Sequence, residues 1–185
     1  PEMRLRYEKA YKDYKIAANQ RDSDKFDQAL LSFQEFLEIM KEFQIDEYIS
    51  GCYFETGYLL SIKKQYEEAL VNCRKALEIS LENRGENHFD TCVCNEAIGN
   101  VLVEQGRYDD AFIRYGKALA MRLNLCGEHH LNTAHSYCNI GVAQLKEGDY
   151  DGALISLQKA KAIYTRELGV EHIQTVATNT AIDLC

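Results

Sequence analysis

The chain has 185 residues, with 21 Lys and Arg against 29 Asp and Glu, and a formal net charge of -8. That balance disfavours nonspecific binding to nucleic acid or to an anionic membrane surface. No apolar run approaches the roughly 20 residues of a membrane-spanning helix, and Pro1-Glu2-Met3-Arg4-Leu5-Arg6 lacks the apolar core of a signal peptide.

Pro1 is the single proline, so only glycines and turn residues interrupt helical patterns. Nine helices are expected. The first, over about residues 4–22, carries Leu5, Tyr7, Tyr11, Tyr14, Ile16 and Ala17 at roughly helical spacing. The second, about 25–41, sets Phe26, Ala29, Leu30, Phe33, Phe36, Leu37 and Met40 on one broad face. Further pairs follow at about 46–63 and 66–83, 89–104 and 108–125, and 131–147 and 150–168. A last helix starts near Ile173. Gly106 and Gly148 suit the left-handed residue that closes a helix, and Gly85, Gly127 and Gly169 close the second helices. Asp109 and Asp151 suit the positive end of the next helix. Asp90-Thr91, Asn132-Thr133 and Gln174-Thr175 open first helices, with Asp and Asn as the expected caps.

These elements repeat. Gly57, Gly99 and Gly141 are 42 residues apart, as are Tyr66, Tyr108 and Tyr150. Ala69, Ala111 and Ala153 share the period, as do Ala76, Ala118 and Ala160. So do Gly85, Gly127 and Gly169, the histidines at 88, 130 and 172, and the threonines at 91, 133 and 175. The first pair keeps the pattern at a spacing of 40, with Phe26, Ala29, Leu37 and Ile39 before Tyr66, Ala69, Leu77 and Ile79. A fixed period of this size marks a solenoid, in which each pair buries its apolar face only by stacking on a neighbour. The expectation is an all-α solenoid of stacked antiparallel helix pairs forming one array over 1–185. Its repeats span about 4–43, 46–85, 88–127 and 130–169, with a terminal helix over 172–185. In this reading the recurrent glycine and alanine let paired helices approach closely, and the tyrosine fills the gap to the neighbouring pair.

The motif Ile98-Gly99, Gly106-Arg107-Tyr108-Asp109-Asp110-Ala111, Tyr115 and Ala118 resembles the tetratricopeptide repeat. Its next copy reads Ile140-Gly141, Gly148-Asp149-Tyr150-Asp151-Gly152-Ala153, Leu157 and Ala160. The usual unit has about 34 residues; the extra ones here lie in Gly127-Glu128-His129-His130-Leu131-Asn132-Thr133 and its copies. This long form is similar to the repeats of kinesin light chains, and Leu168-Gly169-Val170-Glu171-His172 is the nearest match to their link. The proline of that link is absent, and the family's Asn-Asn-Leu run survives as Cys138-Asn139-Ile140.

The resemblance implies a right-handed superhelix and a non-enzymatic scaffold or adaptor. First helices line its concave face and hold a protein or peptide segment. Transferred to this chain, the groove residues are Phe54, Glu55 and Tyr58 in the second repeat and Glu96, Asn100 and Val103 in the third. The fourth supplies His135, Asn139, Val142, Leu145 and Lys146. A groove of this family that clamps chaperone carboxylates needs cations; here Glu96, Ala177 and Ala181 stand in their places, so that ligand is excluded. Asn100 and Asn139 remain suited to a peptide backbone, because an amide both donates and accepts. Glu55, Glu96 and Glu104 favour a ligand with basic character. The alternative is a self-associating scaffold using the terminal helix, where Val176, Ala177, Ile182 and Leu184 leave apolar surface.

No cofactor or metal is expected. His88 with Cys92, and His135 with Cys138, have helical spacing for shared ligation, but a histidine recurring once per link argues for a structural hydrogen bond. The seven cysteines lie within helical patterns and are odd in number, which implies free thiols packed as small apolar residues in a reducing, cytoplasmic setting. No phosphate-binding loop, acid-base pair or triad stands out.

Overall fold

In the computed structural model, which describes residues 12, 16, 23–42 and 46–185, eight helices are found and no strand among the described residues. They are α1 (Ser23–Glu42), α2 (Asp46–Ile62), α3 (Tyr66–Arg84), α4 (Phe89–Glu104), α5 (Tyr108–Cys126), α6 (Leu131–Glu147), α7 (Tyr150–Leu168) and α8 (Ile173–Ile182). The helix expected over residues 4–22 lies outside the described residues apart from Lys12 and Ile16, both helical. Two compact units emerge, residues 1–83 and residues 84–185.

In the first unit α1 packs on α2 through Phe36, Met40, Ile49 and Cys52, with Tyr48, Tyr53 and Ile79 against them. Ser50 ties α2 to α3, donating to the Ala76 carbonyl at 3.0 Å and sharing a hydrogen bond of 2.8 Å with Ser80. In the second unit each helix packs on the next, and the first helices α4 and α6 also touch. Ala134, Ala160, Ile163 and Tyr164 form the core of the α6/α7 pair.

The recurrent glycine sits where the two helices of a pair come closest. A Cβ on Gly57 would lie 2.5 Å from Cys73 Sγ, one on Gly99 2.6 Å from Tyr115 Cε1, and one on Gly141 2.6 Å from Leu157 Cγ. Cys73, Tyr115 and Leu157 themselves stand 42 residues apart. One spacing therefore admits three side chains, because the glycine face opposite them has none. The tyrosine column also acts as expected at Tyr108, whose hydroxyl donates to the Lys146 carbonyl at 3.1 Å and so joins α5 to the end of α6.

The links are closed by a repeated pair of hydrogen bonds. Thr91, Thr133 and Thr175 donate to the carbonyls of Gly85, Gly127 and Gly169 at 2.8, 2.7 and 2.8 Å. The helix caps differ from the expected Asp90 and Asn132. They are His88, His130 and His172, whose Nδ1 atoms accept from the backbone N–H two residues on, at 3.2, 3.1 and 3.3 Å. An imidazole nitrogen on an extended residue reaches the same orphan donor that a carboxylate or amide oxygen reaches at an ordinary cap. Asp90, Asn132 and Gln174 are displaced into the first turn and supply that N–H.

Candidate functional site

The groove residues expected in the second unit lie on the adjacent first helices α4 and α6. Asn100 and Val142 stand one period apart and are both exposed; Asn139 and Leu145 are half-buried. The Tyr115 hydroxyl donates to Asn100 Oδ1 at 2.6 Å. Burial raises the Tyr115 pKa, and the carboxylates of Glu96 and Glu104 raise it further, so this hydroxyl keeps its proton. With Oδ1 occupied, the Asn100 amide turns its two Nδ2–H donors outward.

His135 is exposed on the same side. Its Nδ1 lies 3.3 Å from Arg122 Nη1 and 3.4 Å from Asn139 Nδ2, both of which can only donate. Glu96 Oε2 lies 3.7 Å from the same nitrogen, so Nδ1 sits among two donors and a carboxylate. Lys146 and Glu104, again one period apart, form an ion pair across α6 and α4. As a pair on the surface it contributes little to stability.

Glu96 departs from its expected place. Its side chain and that of Arg122 are each 5% exposed, with Arg122 Nη2 2.5 Å from Glu96 Oε2. Ser136 donates to Glu96 Oε1 at 2.7 Å. Arg122 Nε points at Cys92 Sγ at 3.2 Å, and Arg122 also donates through Nη1 to the Asn132 carbonyl. The position that the repeat template assigns to the groove thus faces the joint between successive pairs, where a guanidinium has reached it. Val103, on α4, is buried too. In the first unit Tyr58 is exposed on α2, and Phe54 and Glu55 are half-buried one helical turn before it.

Arg122, Ser136 and Tyr115 were not singled out as site residues by sequence. Arg122 had a signal: Ala111, Tyr115 and Ala118 mark the buried stripe of α5, and Arg122 continues it. A lone charge on a buried stripe needs a partner. Burial raises the pKa of Cys92 and Cys138, and pushes that of Cys52 up to about 12, so these thiols stay protonated. Among the described residues no three His, Cys, Asp or Glu side chains converge to hold a metal, and no helix is long and apolar enough to cross a membrane. On α8, Val176 and Ala177 are exposed and Ile182 is half-buried; Leu184, just past its end, is exposed.

A family model described as tetratricopeptide repeat matches residues 55–124 and 95–166 of the chain. Among solved structures, the fold is similar to a putative kinesin light chain of Podosopora anserina with nearly identical TPR-like repeats. The TM-score is 0.76 at 14% identity, over 95% of this chain and 84% of that one. BtubC (BKLC) from P. vanneervenii aligns at TM-score 0.63 and 16% identity, over 100% of this chain and 87% of that one. The apo form of RapI aligns at TM-score 0.72 and 18% identity; 94% of this chain is covered but only 46% of RapI. At these identities the likeness is one of fold. No curated protein matches the chain.

Proposed function

Because the chain belongs to the tetratricopeptide repeat family, whose members commonly act as protein-interaction scaffolds, we propose that it is a non-enzymatic adaptor that holds an extended peptide segment along α4 and α6. The observation that carries this reading is the fixed orientation of Asn100. The Tyr115 hydroxyl holds its carbonyl oxygen and leaves its N–H groups for a ligand backbone. His135 adds an exposed imidazole, Asn139 a second amide, and Val142 an apolar contact one helical turn further along α6. Donors to backbone carbonyls read an extended chain without demanding its sequence.

The charge of the ligand follows from the same geometry. Glu96 is buried in its pair with Arg122, and Glu104 is paired with Lys146. The middle of the bound segment is then uncharged, and a basic character is felt through the net charge of -8, which acts on encounter more than on the bound state. The cytoplasm, with its reduced thiols, is the compartment this reading calls for.

The test is a peptide display library probed with the protein and with Asn100→Ala/Asn139→Ala. Peptides lost by the double variant, with helicity unchanged, support the reading, and their affinity falls roughly tenfold or more, as expected for removing two ligand hydrogen bonds of about 1 kcal/mol each. Peptides bound equally by both forms overturn it.

A further inference from the structure

We propose that the outer faces of α5 and α7 form a self-complementary docking surface for a second copy of this chain. The inference is independent of the peptide-binding reading, because it concerns the second helices of the pairs.

Ile113 on α5 is 60% exposed and Ile155 on α7 is 59% exposed, and they stand one period apart. Their counterparts in the first unit, Leu31 on α1 and Val71 on α3, are 59% and 50% exposed. A single exposed apolar residue is ordinary. Here the same column is apolar and half or more exposed in every pair, although its neighbours in sequence have drifted. Gly116 and Ala120 lie on the same side of α5 at helical spacing from Ile113, and both are exposed. A Cβ on Gly116 would meet nothing within 4 Å. A glycine inside a helix weakens it relative to alanine, and no packing within the chain requires this one. An approaching helix would.

The charges beside the isoleucines identify the occupant. Four residues before them are Asp109 and Asp151; four residues after are Lys117 and Lys159, all exposed. Positions four apart lie along one ridge of a helix. Each ridge therefore reads acid, isoleucine, lysine in the direction of the chain. The acids have a local reason to be there, since a helix N-terminus favours negative charge. Neither the isoleucines nor the lysines have that reason, although Lys159 lies 5.1 Å from the Tyr137 ring centroid. A two-fold axis in the contact plane, running from α5 to α7, reverses the ridge of the second copy. It sets isoleucine on isoleucine, Asp109 and Asp151 against Lys117 and Lys159, and the reverse. A two-fold along the helices would set like charges together and is disfavoured. This is an isologous interface, in which one patch is its own partner.

The experiment is sedimentation of the full chain as a function of concentration, with four double variants checked for native helicity. Ile113→Glu/Ile155→Glu is expected to weaken the dimer roughly hundredfold, as for central hot-spot residues, and Ile113→Ala/Ile155→Ala roughly tenfold without adding charge. Lys117→Glu/Lys159→Glu removes the charge match and is expected to give a weaker dimer. Mixed with Asp109→Lys/Asp151→Lys, which is also weakened alone, it is expected to recover as a mixed dimer, because acid rows then face only lysine rows. A chain that stays monomeric up to its solubility limit overturns the proposal. So does a dimer that both isoleucine variants leave intact, which would place association elsewhere, as on the exposed Val176 of α8 and Leu184 just past it. A dimer lost with the isoleucines but not recovered in the mixture overturns the two-fold arrangement.

Discussion

The pairs α4/α5 and α6/α7 are built on one template, yet they place different chemistry at the same columns. Where α4 and α5 meet, Gly99 faces Tyr115, whose hydroxyl passes through to Asn100. Where α6 and α7 meet, Gly141 faces Leu157, which ends in methyl groups, and the residue in the column of Asn100 is Val142. At the joint, Glu96, Arg122 and Ser136 form a buried polar cluster. One period later the same three columns hold Cys138, Tyr164 and Thr178. There Thr178 returns its hydroxyl to the Gln174 carbonyl at 2.7 Å, and Tyr164 is buried in the core. A repeat fixes spacing and leaves polarity free, provided each buried polar group finds a partner.

The largest effect is expected where that proviso is broken. Arg122→Ala leaves the Glu96 carboxylate buried with the Ser136 hydroxyl bonded to it and His135 Nδ1 3.7 Å away. Removing one partner of a buried pair costs about 3–5 kcal/mol, enough to consume much of a stability of about 5–15 kcal/mol. Grafting the later repeat's residues, Glu96→Cys/Arg122→Tyr/Ser136→Thr, removes all members together and is expected to be neutral or to stabilise by about 1–4 kcal/mol. Urea unfolding of the two variants beside the parent checks the sign. If Arg122→Ala and the graft are equally damaging, the cluster does more than satisfy its own members.

The glycine column gives a smaller contrast. Gly141→Ala places a Cβ 2.6 Å from the branch carbon of Leu157 and 3.3 Å from the Ala153 carbonyl oxygen. Gly99→Ala meets only the Tyr115 ring within its three nearest contacts, at 2.6 to 3.0 Å. A branch carbon next to the backbone has little room to swing, so Gly141→Ala is expected to cost about 2–3 kcal/mol and Gly99→Ala about 1–2 kcal/mol. Thermal unfolding ranks them. Gly99→Ala should also release the Asn100 amide by displacing the Tyr115 hydroxyl, so it alone should weaken peptide binding. Peptide affinity unchanged in Gly99→Ala would remove Tyr115 from the argument about the groove.

The difference between what recurs and what does not also explains what the sequence discloses. The period alone yields the helix pairs, the close approach at Gly57, Gly99 and Gly141, and the hydrogen-bonded role of His88, His130 and His172, because a constraint met three times leaves three copies. It misplaces the cap itself, since His is a poor capping residue by propensity and only its ring geometry in this link makes it one. The cluster at Glu96 occurs once. Its partners Arg122 and Ser136 lie 26 and 40 residues away, and a template that assigns Glu96 to an open face carries no information about what arrives from the next helix. Val103 is buried for the same kind of reason: its exposure depends on how its neighbours pack, and helical spacing alone does not set that.

The smallest effect extends the comparison to the turn between the helices of a pair. Gly106 and Gly148 close α4 and α6 at φ of +73° and +95°, and one period earlier the residue is Lys64, at φ of +61°. The three turns are hydrogen-bonded alike: the N–H of Gln65, Arg107 and Asp149 each donates to the carbonyl five residues back, at 2.9 Å in every case. Lys64 is the one non-glycine residue with positive φ among the described residues, and a side chain there carries a strain of about 1–2 kcal/mol. Lys64→Gly relieves it, offset by the greater freedom of glycine in the unfolded chain. The expected net is a gain of about 0.5–1 kcal/mol, read as a raised urea midpoint with unchanged slope. Gly148→Lys is expected to lose a similar amount or more. If Lys64→Gly instead destabilises, the lysine side chain makes contacts that outweigh its backbone strain, and the turn column is equivalent in hydrogen bonding but not in energy.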